Sequence, residues 1–357
     1  MKFLFVTPSL SNGGAERVVS ILSSELTRLG HQTDIVIYFK KDEEYEVSKY
    51  VNKIYLANSE SDYFKISHWN RLSMLRKIIK EQSPDYVIPF LWYVCLHVCV
   101  ALFGLKVRII QTVRNNPATA PNKKLLRVLR DFFIKCSYKI MVQNNDQKRY
   151  FSKNLQKKIF VLPNPVRGDL IDCQNKNDTD KTIIATAGRL NAQKNFFMLI
   201  DAFEKVYKNH KELELRIYGD GELKEDLQKY IDDKKLSETI KLMGRTNDMK
   251  SMLESIDLYV LSSNYEGMPN SLMEAMAAGV PCVSTDCPTG PSDLIQDGEN
   301  GLLVPVNDAS AMSKAIEKML FESDKNFFGK KGQEFLYSNF SQEIIAKKFL
   351  KNLEKGD

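Results

Sequence analysis

Residues 86–105 read YVIPFLWYVCLHVCVALFGL, 20 residues without a formally charged side chain. Two structures fit that composition. A helix of about 20 apolar residues is long enough to cross a bilayer. A buried strand, a turn at residues 91–93 and a buried helix closed by Gly104 would hide the same surface inside a folded domain. Pro89 near the start, His97 within the run and the β-rich VRIIQTV directly after it favour the second reading. Upstream, KFLFVTPS and QTDIVIYF read as strands. GGAERVVSILSSELTRLG sets Val18, Ile21, Leu22 and Leu26 at helical spacing ahead of Gly30, and RLSMLRKIIKEQ is helical in the same way. Strand–helix–strand alternation predicts an α/β fold, a doubly wound parallel sheet with helices on both faces, and residues 86–105 become one more unit of it.

The pattern restarts after VLPNPV. TIIATAG, ELRIYGDG, TIKLMG, DLYVLSS, VPCVSTD and GLLVPVND alternate with helical stretches such as NFFMLIDAFEKVYKNH and LKEDLQKYIDDKKL. A chain of 357 residues suits two such domains, and the polar NKNDTDK at 175–181 reads as a surface connection. The six cysteines form no C-x-x-C pair and fit reduced thiols better than a disulfide framework or a zinc site. The first apolar run, FLFV, is too short for a signal peptide and reads as a first strand. Charge is divided unevenly. Residues 1–165 hold 26 Lys/Arg against 13 Asp/Glu, and the remainder 25 against 32, so the net +6 combines +13 with −7. Such asymmetry suggests that the first half meets a polyanion or an anionic membrane; an ordinary solvated basic face is the plainer alternative.

Ligands of doubly wound sheets sit beyond the carboxyl ends of the strands. After the first strand comes Ser11-Asn12-Gly13-Gly14, where paired glycines and a helix start suit a phosphate, or simply make a tight turn. It is not G-x-G-x-x-G, which argues against a dinucleotide oxidoreductase. GRLNAQKN, after the first strand of the second half, carries Arg189 and Lys194 near a helix start, a suitable site for a diphosphate. NYEGMPNSLMEAMAAG, residues 264–279, places Glu266 before a Gly-Met-Pro-Asn turn and Glu274 inside the helix that follows. A carboxylate can accept two hydroxyls side by side, as from a ribose diol. Taken singly, each glutamate could equally be a helix-terminal charge or a solvated side chain.

GRLNAQKN, YGDGE, LMGR, EGMPNSLMEAMAAGVPCVSTD, GPSDLI and NGLLV follow one another in this order, with Glu266 and Glu274 at E-x7-E spacing and GGAER near the N-terminus. The set resembles the family-four retaining glycosyltransferases, which have the GT-B fold of two Rossmann-like domains facing across a cleft. The resemblance implies an acceptor-binding domain at 1–164, completed by a returning helix at 340–357, and a donor-binding domain at 165–339. Arg189 and Lys194 would hold the donor diphosphate and neutralise it as it leaves. Glu274 would bind the ribose, and Glu266 with the backbone of Gly267, Met268, Pro269 and Asn270 would hold the transferred sugar. Gly244 and Arg245 would edge the base, and Gly14, in the family's N-terminal glycine loop, would also contact the donor. The co-substrate would be a nucleotide-sugar, a UDP-sugar more than a GDP-sugar, with no metal and no covalent enzyme intermediate.

On the acceptor side the family often carries a histidine in the loop after the strand matching RIIQTV. Here that loop reads Arg114-Asn115-Asn116-Pro117, which makes Arg114 and Asn115 acceptor candidates; Arg114 as a structural ion-pair partner is the alternative. NKKLLRVLRDFFIKCSYK, residues 122–139, interleaves Lys123, Lys124, Arg127, Arg130, Lys135 and Lys139 with apolar residues, an amphipathic basic helix of the kind that lies on a membrane surface. In similar enzymes that extend lipid-linked sugars, a basic helix of this domain lies beside the acceptor's phosphates. No nucleic-acid motif accompanies the charge. The expected protein is therefore a cytoplasmic transferase, peripheral on the inner face of the cell membrane, acting on a lipid-linked or glycan acceptor in surface-polysaccharide assembly. A non-catalytic partner subunit of the same fold is the remaining rival.

Overall fold

The computed structural model describes the whole chain except residues 12, 178, 247 and 355–357, so Asn12 of the glycine loop and Asp178 of the polar connection lie outside the described residues. Two compact units form, Met1–Pro165 with Gln342–Asp357, and Val166–Ser341. The first is built on β1 (Lys2–Thr7), β2 (Gln32–Phe39), β3 (Asn52–Ala57), β4 (Tyr86–Pro89), β5 (Arg108–Val113), β6 (Lys139–Val142) and β7 (Ile159–Val161), in the order β3-β2-β1-β4-β5-β6-β7. The second is built on β8 (Thr182–Ala187), β9 (Leu213–Tyr218), β10 (Ile240–Gly244), β11 (Leu258–Leu261), β12 (Cys282–Thr285) and β13 (Leu302–Val304), ordered β10-β9-β8-β11-β12-β13. Every pairing within these sheets is parallel, as in β1 with β2 and β8 with β9. In each unit the strand order reverses beside the first strand, between β1 and β4 and between β8 and β11. A reversal of strand order marks the place where such sheets bind ligands, beyond the carboxyl ends of the strands.

Residues 86–105 take the strand–turn–helix form. All four residues of β4 are buried, Leu91 turns the chain at φ +74°, and the helix Trp92–Ala101 buries Val94, Cys95, Val98 and Cys99 against the sheet. Among the described residues no helix is long and apolar enough to cross a membrane.

The basic stretch differs from the expectation. Its helix spans only Lys124–Phe133, with a 3-10 turn Ile134–Cys136, and Lys139 opens β6. The Lys139 ammonium donates to the carbonyls of Asn352 and Leu353 in the last helix, Gln342–Glu354. That helix completes the first unit: Phe349 is fully buried against Phe3 and Phe160, and Glu343 meets Arg28 at 3.1 Å. In the second unit the core lies between β8, β9 and β11 and the helices Phe196–Tyr207 and Ala309–Glu317, whose Leu199, Phe203, Met312 and Ile316 are fully buried.

Candidate active site

In the second unit, the loops leaving β8 and β11 are joined side by side. Asn264 N donates to the Gln193 carbonyl at 2.8 Å, the Asn264 amide to Ala192 O at 2.9 Å, and the Ser262 hydroxyl to Lys194 O at 2.7 Å. Beneath them Tyr259 ties its phenol to the Ala187 backbone, and burial raises its pKa above the ordinary tyrosine value. The β9 loop presses on the same place. A Cβ on Gly219, at φ +146°, would lie 1.8 Å from the Gly188 carbonyl oxygen, so only glycine fits there.

This scaffold brings Lys194 and Glu266 together from residues 72 apart. The Lys194 ammonium lies 2.7 Å from Glu266 Oε1, with side chains 14% and 8% exposed. The Ser263 hydroxyl donates to the same oxygen at 2.6 Å, and the Gln193 amide reaches Oε2 at 3.5 Å. Glu274 sits in the helix Asn270–Ala277, 3% exposed, which rules out a solvated side chain. Pro269 stands one position before that helix as its N-cap, with Gly267 and Met268 in the turn ahead of it. Arg189 remains outside this group: it is exposed and its guanidinium lies 3.6 Å from Glu222. Gly244 ends β10 at φ +74° and its carbonyl accepts from Gly219 N; Arg245 is exposed beside Asp220.

In the first unit, Gly14 opens the helix Gly14–Arg28, and burial raises the pKa of Glu16 in its first turn. Arg114 follows β5. Its guanidinium donates to Asn164 Oδ1 at 3.1 Å, approaches Met141 Sδ and covers the Phe90 ring, while Nε is buried without a partner. No carboxylate among the described residues pairs with it, which corrects the ion-pair alternative, and burial pushes its pKa down to about 9. Asn115 is exposed, its carbonyl accepting from Gln147. Lys123 and Lys124 are exposed at the start of the basic helix. Arg130 departs from its expected role: it is buried and donates to Asp131 and to the carbonyls of Pro117 and Ala120. Arg127 likewise holds the Pro121 and Asn122 carbonyls. Both arginines organise the loop before their helix. That helix turns its apolar side outward: Leu125, Val128, Leu129 and Phe132 are all exposed.

A family model described as "Glycosyl transferases group 1" matches residues 169–335, and one described as "Glycosyltransferase Family 4" matches residues 12–169. A GalNAc-alpha-(1->4)-GalNAc-alpha-(1->3)-diNAcBac-PP-undecaprenol alpha-1,4-N-acetyl-D-galactosaminyltransferase of Campylobacter jejuni is 30% identical over 92% of this chain and 90% of its own length. The chain belongs to the family-four glycosyltransferases. The amylovoran biosynthesis glycosyltransferase AmsD of Erwinia amylovora is 27% identical over 98% of both chains. The glycosyltransferase also shares its fold with HepE of Anabaena, solved in complex with UDP, at a TM-score of 0.81 and 15% identity over 99% of this chain and 100% of that one. Its architecture is thus GT-B.

Sequence spacing singled out Lys194, Glu266 and Glu274 in this glycosyltransferase but not Gln193, Ser263 or Thr289, which hold Glu266. Thr289 donates its hydroxyl to the Glu266 carbonyl. In the sequence, the Gly290-Pro291 dipeptide, a turn signal, marks the loop after β12 that carries Thr289.

Proposed function

We propose that this glycosyltransferase moves a hexosyl or N-acetylhexosaminyl group from a UDP-sugar, with retention, to a lipid-linked or glycan acceptor in surface-polysaccharide assembly. The observation that carries the reading is the Lys194–Glu266 pair, largely withdrawn from water where the loops leaving β8 and β11 meet, with the buried Glu274 in the helix that follows. A cation at that position suits a leaving diphosphate, and Arg189 on the same loop adds a second, exposed cation. Glu274 takes the ribose hydroxyls. Glu266, with the backbone of Gly267, Met268, Pro269 and Asn270, takes the transferred sugar, and Gly244 with Arg245 edges the base. Leaving-group charge is met by these cations and by backbone N–H groups, without a metal and without a covalent intermediate.

The second unit is then the donor domain and the first the acceptor domain, with Gly14 contributing from its glycine loop and Arg114, Asn115, Lys123 and Lys124 meeting the acceptor. A relative that acts on an undecaprenol-linked sugar supports a lipid-linked acceptor, and the UDP held by HepE supports the base. The basic surplus of the first half, together with a helix whose apolar side chains face outward between Lys124 and Lys135, supports peripheral contact with an anionic membrane on its cytoplasmic side.

Thermal unfolding with UDP, GDP, CMP and NAD, on the wild type and Glu274→Ala, tests the reading. A ligand at ~100 times its dissociation constant stabilises by about 2.7 kcal/mol. The expected result is a shift with UDP alone that the variant loses. A shift with GDP alone makes the donor a GDP-sugar; no shift with either points to a non-catalytic partner subunit.

A further inference from the structure

Glu266 is held through its backbone by a second loop, residues 286–290, which follows β12. Its N–H donates to the Pro288 carbonyl at 3.4 Å, and its own carbonyl accepts from the Thr289 hydroxyl. Thr285, the last residue of β12, donates to the Ser263 carbonyl at 2.6 Å, so the chain is anchored to the β11 loop just before the second loop begins. Thr289 has φ +68°, a left-handed conformation that a β-branched residue rarely adopts. Gly290 follows at φ +98°, and a Cβ there would stand 2.8 Å from Pro269 Cδ and 3.2 Å from the Gly267 carbonyl oxygen. Two consecutive residues in the left-handed region thus press on the turn that carries Glu266.

We propose that Thr289 is a positioning residue of the transfer reaction, its hydroxyl fixing the planar 266–267 peptide so that the Glu266 carboxylate addresses the transferred sugar. With the Glu266 N–H held by Pro288, both peptides flanking Glu266 are fixed, and the carboxylate leaves from a set backbone position. Glycine or asparagine would accept the Thr289 backbone with less strain. What threonine adds at that position is the hydroxyl, and strain of this kind persists at sites where it serves a geometry.

The inference rests on the reading that Glu266 holds the sugar, and the test separates the two. Thr289→Gly, Thr289→Ala, Thr289→Ser and Glu266→Gln are compared with the wild type for release of the nucleotide from UDP-glucose, UDP-N-acetylglucosamine and GDP-mannose. The dissociation constant for UDP and the urea midpoint are measured on each. Thr289→Gly suits the positive φ, so it folds at least as well as the wild type while lacking the hydroxyl. The expected result for Thr289→Gly and Thr289→Ala is a fall in kcat on the order of 10- to 100-fold, as misplacement of a reacting centre produces, with UDP affinity unchanged. Thr289→Ser, which keeps the hydroxyl, is expected to restore most of the rate. Wild-type kcat in Thr289→Gly, or a loss of UDP affinity that matches the loss of kcat, overturns the proposal. If Glu266→Gln turns over normally, or the wild type turns over none of the three donors, the reading beneath it falls as well; if only Glu266→Gln is impaired, the inference alone falls.

Discussion

Replacing Glu266 by glutamine has a consequence that runs against intuition: transfer should be lost while UDP binds more tightly. In the free protein the Lys194 ammonium faces Glu266 at 2.7 Å, and both side chains are largely withdrawn from water. Breaking a buried pair from one side leaves an uncompensated charge and costs roughly 3–5 kcal/mol. Glutamine keeps the volume and a hydrogen-bonding oxygen, and Ser263 and Gln193 remain beside it, so a cost nearer 2–3 kcal/mol to the second unit is expected. The diphosphate of UDP then becomes the first anion to reach Lys194, without competition from a carboxylate. A gain of about 1 kcal/mol in binding corresponds to roughly a fivefold lower dissociation constant. Isothermal calorimetry with UDP gives the affinity, and urea unfolding with and without UDP gives the stability. Lys194→Met with Glu266→Gln removes both charges and should recover more than 1 kcal/mol of the summed single losses, the sign of a coupled pair. Additive single losses below about 0.5 kcal/mol, or a UDP dissociation constant that rises in Glu266→Gln, would refute the account of the pair.

Four further outcomes follow from other parts of the molecule. Asp257 is buried and loses from burial, yet its hydrogen bond from Ile183 N and its contacts with Lys325 and Asn177 bring its pKa below the ordinary carboxylate value of 3.8. Its stabilisation is present above that value and lost as pH falls through the lower folded one, so Asp257→Asn should cost about 1–3 kcal/mol at pH 7 and progressively less below pH ~4, read from urea midpoints. Phe349→Ala removes a fully buried ring and should destabilise the first unit by about 3–5 kcal/mol, monitored by hydrogen exchange in β1, while exchange in β8 is unchanged. Leu125→Asp with Phe132→Asp, both on exposed positions, should reduce co-sedimentation with anionic vesicles several-fold and leave the melting temperature within about 2 °C. Glu274→Gln keeps the volume of a buried carboxylate but offers one acceptor oxygen, and is expected to weaken UDP by about tenfold in calorimetry.

The repeating alternation made both sheets legible because a parallel strand buried on two faces reads as a short continuous apolar run, as TIIATA and DLYVLSS do. Three strands escaped. β3, NKIYLA, is partly exposed at a sheet edge. β7 has only three residues, and β6 begins inside a basic stretch whose helical periodicity masks it. Lys194 and Glu266 were legible because they stand in loops past strand ends, and Glu274 because of its E-x7-E spacing from Glu266. Roles that depend on three-dimensional neighbours were not. Nothing in the sequence distinguishes Arg130, buried against the loop before its helix, from the exposed Lys123 and Lys124, nor tells that Leu125 and Phe132 face away from the core. Thr289 lies 23 residues from the carbonyl that it holds, and only the strand order of the second sheet brings the two together.

The division of the first unit between the two ends of the chain bears on the order in which the protein is made. Residues 166–341 emerge from the ribosome as one uninterrupted segment and can bury their own core at once, although they are synthesised second. The earlier segment must wait: Phe3 and Phe160 lack Phe349, and Arg28 lacks Glu343, until the helix that follows the second unit has been made. The nascent first unit therefore keeps an apolar face open while the second unit is made, a substrate for chaperones rather than a finished domain.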